Sequence, residues 1–224
     1  MARWMPPQRH AESPDTVVGV DVGGQRKGFH AVALTGGQYA GHYATDDVDE
    51  LVAWCREVDA ATIAVDAPCG WSTDGRARPA ERRLMEQGIW CFSTPTRQRA
   101  IEHPKDHYGW MLRGEALFQE LKETHPLRLP ASGQKCCFET FPHAVTWHLT
   151  AGKADASRKR SQRRALLAAA EVDLTELTNI DLVDAALCAL TAHHAATGGA
   201  CRTYGEPDTG FIVVPEGPAS AARG

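Results

Sequence analysis

A chain of 224 residues with 43% hydrophobic content fits one domain carrying a large insertion better than two separate domains. The formal charge of −4 excludes a globally basic nucleic-acid binder but leaves room for a local basic patch. No apolar run approaches the ~20 residues of a transmembrane helix, and seven cysteines without a C-x-x-C pair argue for reduced thiols in the cytoplasm rather than disulfides or zinc.

Residues 1–15 hold Pro6, Pro7, His10, Glu12 and Pro14 without an apolar core segment, which excludes a secretory signal and predicts a disordered leader. Val17, Val18 and Val20 make 16–21 a buried strand that ends in Asp21 and runs into Gly23 and Gly24. A second strand is expected over 28–34 and a third over 38–44, giving an antiparallel meander. Asp46 and Asp47 can cap a helix whose Val48, Leu51, Val52 and Cys55 share one face. Residues 61–65 form a fourth strand, buried and parallel to the first, ending at Asp66 before Ala67 and Pro68. The periodic pattern then lapses over 68–130, where 79–87 and 108–124 read as helices separated by Pro95 and Pro104. A fifth strand over 135–141 carries Glu139, and a helix follows over 142–149. A basic run opens the helix of 157–170. The last helix, 181–196, closes at Gly198 and Gly199, and 211–214 is available as an edge strand.

Two strands thus deliver Asp21 and Asp66 from their C-terminal ends, where ligands bind in open α/β sheets. Neighbouring strands lie ~4.8 Å apart, so the two carboxylates can share one cation. Each also has a plain reading as a turn residue, before glycine for Asp21 and before a proline-stiffened exit for Asp66. Asp181 and Asp184 lie on one face of the last helix. Asp181 fits a first-turn acid that complements the helix dipole and the free N–H groups. Asp184 lies beside Ala185, Ala186 and Cys188, small enough for close approach to the sheet, so an inward carboxylate there needs a partner such as a metal. Clustered carboxylates repel unless a cation sits between them, which points to Mg²⁺ or Mn²⁺. Glu139 can ligate the metal, directly or through water, or hold a basic residue such as Arg82 or Arg97. The residues leave that choice open. His143, just behind Pro142, is a better candidate base than His30.

Lys153, Arg158, Lys159, Arg160, Arg163 and Arg164 fall within twelve positions that contain only Asp155 as an acid, which makes them the clearest phosphate contacts. Arg82, Arg97 and Arg99 in the insertion add donors, with Ser93, Thr94 and Thr96 as neutral partners. Trp90 and Phe92 can stack on bases, although core packing is the commoner fate of such residues.

Three strands, a helix, two further strands and a closing acidic helix is the element order of the RNase H-like fold. The motifs that sharpen it are Gly19-Val20-Asp21 with Gly28-Phe29-His30, Ala64-Val65-Asp66-Ala67-Pro68, and Glu81-Arg82-Arg83-Leu84. They continue through Phe92-Ser93-Thr94-Pro95-Thr96-Arg97, Glu139-Thr140-Phe141-Pro142-His143-Ala144 and Asp181-Leu182-Val183-Asp184-Ala185-Ala186-Leu187. On these the chain resembles the domain-of-unknown-function family 429, whose members are predicted nucleases of RNase H-like fold. It departs at Val22-Gly23-Gly24 and His30. The closing helix also resembles that of RuvC-type junction resolvases. The expected architecture is an α/β domain over 16–214 with a mixed five-stranded sheet flanked by helices, a helical insertion at about 68–133, and a flexible tail over 215–224. The expected activity is two-metal hydrolysis of nucleic-acid phosphodiesters. Asp21 would bridge two ions, Asp66 and Asp184 would secure one each, Asp181 is a further candidate metal ligand, and Glu139 and His143 would join the catalysis. Nucleic acid is the expected partner, with no membrane and with a homodimer left open. One rival is a sugar-kinase/actin-like phosphotransferase, which Asp21-Val22-Gly23-Gly24 with Lys27 resembles, but a second phosphate motif and a repeated domain are missing. The other rival is a catalytically inactive nucleic-acid-binding protein.

Overall fold

The apolar residues of β1 (Thr16–Val22) point alternately to two covered faces, and the computed structural model, which describes residues 15–130 and 134–217, fills both. Val18, Val20 and Val22 pack on one side with α1 (Val48–Glu57) and α4 (Gly109–Leu121). Val17 lies on the other, under α7 (Ile180–Ala196). Gly19 is the point of closest approach there. A Cβ built on it would sit 2.0 Å from the Ala189 nitrogen and 2.1 Å from the Ala185 oxygen, so only glycine lets α7 lie on β1.

The meander forms as expected. β1 pairs antiparallel with β2 (Phe29–Thr35), and β2 with β3 (Gln38–Thr45). β4 (Ala60–Asp66) and β5 (Cys136–Glu139) continue the sheet in parallel with β1. Among the described residues the sheet has seven strands rather than five, in the order β3-β2-β1-β4-β5-β7-β6. The expected edge segment becomes β7 (Gly210–Pro215), an interior strand, and β6 (Cys201–Glu206) takes the edge. Sequence pattern hides β6 because most of its side chains are not buried and it lacks an apolar run. The first five strands keep the order and directions of the RNase H-like sheet.

Asp47 caps α1 by accepting from the Asp49 and Glu50 N–H groups at 2.8 and 3.2 Å. Between β4 and β5 the chain forms α2 (Pro79–Glu86), a short α3 (Arg97–Ile101) not anticipated from the pattern, and α4. After β5 come α5 (Pro142–Leu149) and α6 (Lys159–Ala169). The expected leader, apart from Asp15, and the expected tail beyond residue 217 lie outside the described residues. No described helix is long and apolar enough to cross a membrane.

Candidate functional site

Asp21 and Asp66 are register partners across β1 and β4, at the C-terminal ends of both strands. Side chains alternate along a strand, so both carboxylates leave the sheet on the face covered by α7. The tight seat of α7 on Gly19 carries buried Asp184 toward them. Partial burial raises the Asp21 carboxyl to about 7, and the nearby charges of Asp184 and Asp181 push the same way. Burial also lifts Asp66 well above the carboxylate range, helped by Asp21 and Asp184. Such carboxylates resist ionising together, and a divalent cation would relieve them. That donor chemistry fits Mg²⁺ or Mn²⁺ at the Asp21–Asp66 pair.

The two helix carboxylates face basic partners. Arg163, from the basic run, is buried and donates to Asp184 Oδ1, which opposes the rise that burial imposes on Asp184. Lys27 donates to Asp181 Oδ1 at 2.7 Å. Among the described residues, no group of three or more His, Cys, Asp or Glu side chains is gathered to hold a metal ion. The expected capping role of Asp181 falls to Asn179, whose Oδ1 accepts from the Leu182 N–H at 2.8 Å.

Glu139 lines a hollow with Asp66 and its charge adds to the rise of the Asp66 carboxyl, but its hydrogen bonds go elsewhere. It is the register partner of Val65, not Asp66, so it leaves the sheet on the opposite face. There it accepts two hydrogen bonds from Arg78, at 2.7 and 2.9 Å, and one from the Cys69 N–H at 2.8 Å. Arg78 also donates from its Nε to Glu81, making a buried network behind the site. The sequence suggested Arg82 or Arg97 as the basic partner. Arg82 instead donates to the Ala77 carbonyl, and Arg97 pairs with Glu115 at 2.8 Å. Arg78 carries no signal beyond its place among the arginines of the insertion.

His143 opens α5 and, with Arg163, Lys159, Trp90 and Trp147, lines a groove of about 520 Å³. Burial and the Arg163 charge hold its pKa below the ordinary histidine value, which keeps the ring neutral near pH 7. His30, opposite Asp21 on β2, has a buried Nδ1 without a partner. Of the remaining basic run, Arg160 and Arg164 donate to the Thr178 and Leu177 carbonyls, each at 2.8 Å. Arg158 pairs with Asp155 at 2.9 Å. Arg99 is exposed on α3.

Fold and site together define an α/β protein of RNase H-like sheet order with an acidic centre at its strand ends. The chain belongs to the family described as "Protein of unknown function (DUF429)", whose model matches residues 19–209. A Thermus thermophilus RuvC structure is similar to it at a TM-score of 0.45 and 15% identity, with 82% of this chain and 96% of that chain covered. None of the curated proteins matches it in sequence.

Proposed function

We propose that the protein is a divalent-metal-dependent nuclease that hydrolyses nucleic-acid phosphodiester bonds. The observation that carries this reading is the register pairing of Asp21 and Asp66 at the ends of parallel strands, under a helix that supplies Asp184. Asp21 and Asp66 would hold the ion, and Asp184 would join them once Arg163 turns away. Bound Mg²⁺ or Mn²⁺ supplies an ionised water near neutral pH and stabilises charge on the leaving oxygen. Arg163, freed from Asp184, has the planar fork that suits a phosphate. His143, neutral and beside Arg163 in the groove, can accept a proton. Glu139 acts through positioning. Its bond from the Cys69 N–H and its pair with Arg78 fix the chain as it leaves β4 after Asp66.

The test is cleavage of labelled single-stranded, duplex and branched DNA and RNA with Mg²⁺ or Mn²⁺. Wild-type protein should cleave at least one of them and lose the activity in chelator, and Asp21→Asn should abolish it. Cleavage by Asp21→Asn at the wild-type rate would overturn the reading.

A further inference from the structure

Trp90 and Phe92 are the most exposed large apolar side chains described, at 78% and 68%. The core-packing fate expected for them is not what the fold gives. They do not sit on a loose loop. On one side Ile89 is fully buried and donates to the Leu84 carbonyl at 3.0 Å. On the other, Thr94 is fully buried, with its N–H donating to Glu81 at 3.0 Å and its hydroxyl to the same carboxylate. A segment anchored at both ends therefore holds two large rings out toward solvent in a fixed place.

The rings line different hollows. Phe92 lines one with Asp66, Trp110 and Phe141. Trp90 lines the groove that contains Arg163, which reaches Asp184. One ring thus shares a hollow with Asp66, and the other shares a groove with Arg163, the partner of Asp184. Lys159 lies one turn before Arg163 on α6 and offers its cation to the same groove as Trp90, whereas the Arg163 charge is engaged with Asp184.

We propose that Trp90 and Phe92 are stacking platforms for bases of a single-stranded nucleic acid whose backbone runs past Lys159 toward Asp66. Trp90 and Lys159 in one groove match the two halves of a nucleotide, the base and the phosphate. Duplex bases are already stacked on one another and offer no free face to such rings. The strand's direction relative to the carboxylates rests on the nuclease reading, whereas the stacking itself does not.

The experiment uses the full chain carrying Asp21→Asn, in chelator, so that catalysis plays no part. Anisotropy is read on a labelled twelve-nucleotide single strand and on its duplex. Trp90→Ala and Phe92→Ala should each weaken single-strand binding about 5- to 150-fold, the range for one lost stacking contact. Duplex binding should stay unchanged, and Trp90→Phe and Phe92→Trp should restore most of the affinity. Single-strand affinity unaffected by both alanine changes would overturn the inference, as would no nucleic-acid binding at all. So would a dimer that dissociates in the alanine variants at constant single-strand affinity, because the rings would then serve a protein contact. If stacking is confirmed and no substrate is cleaved by wild-type protein, the nuclease reading fails alone.

Discussion

Arg163 donates to Asp184, so a basic run that looks like a phosphate-binding surface sends one arginine into the acidic centre. The guanidinium supplies the positive charge that the carboxylates need, and it occupies the oxygen a metal would use. On the nuclease reading, a bound divalent cation and Arg163 would compete for Asp184.

Arg163→Gln should lower the stability of the metal-free protein by about 3 kcal/mol, because it leaves a buried carboxylate unpaired. Mn²⁺ should then raise the melting temperature of the variant more than that of wild type. Thermal unfolding with and without Mn²⁺ measures both, and an Mn²⁺ shift no larger than in wild type would show that the two cations do not compete.

The carboxylate pair also sets a pH dependence. Burial, with Asp184 and Asp181, raises Asp21 from 3.8 to about 7, so the folded state binds a proton that the unfolded chain releases. This contribution to stability is complete below pH 3.8 and is lost as pH rises through about 7. His148 acts in the opposite sense, because burial lowers its pKa to about 4 and its contribution is lost as pH falls. Comparing Asp21→Asn with wild type cancels the histidine. The asparagine variant should gain on wild type as pH rises from about 4 to 7, and a difference independent of pH in denaturant titrations would contradict the assignment.

Much of this centre is legible in the sequence. Asp21 and Asp66 end apolar runs that only a parallel pair could bury together, and Asp184 follows from its small neighbours. The partners are not legible, because Arg163–Asp184 and Arg78–Glu139 join residues 21 and 61 apart through tertiary packing. Glu139 shares a strand end with the pair but not a face. That parity depends on the register with Val65, which sequence alone leaves one residue uncertain. β6 escapes because an edge strand need not be apolar.

Glu139→Gln should act on stability rather than on metal binding. It leaves Arg78 buried with one charged partner fewer, at a cost of about 3 kcal/mol. Calorimetric Mn²⁺ affinity should be unchanged in the variant. Loss of Mn²⁺ binding with stability intact would make Glu139 a ligand.

Gly19→Ala tests the seat of α7. Its Cβ would meet helix backbone at about 2 Å, a collision no rotamer relieves, and it should cost at least the ~1–3 kcal/mol typical of overpacking. Urea unfolding reads the loss. A variant as stable as wild type would mean that α7 is not held against β1 in this way.

The most direct measurement is anomalous diffraction from a crystal soaked in Mn²⁺ at neutral or higher pH. The account predicts a peak coordinated by both Asp21 and Asp66, with Arg163 displaced from Asp184. A peak elsewhere, or none at saturating Mn²⁺, would contradict the carboxylate pair as the metal seat.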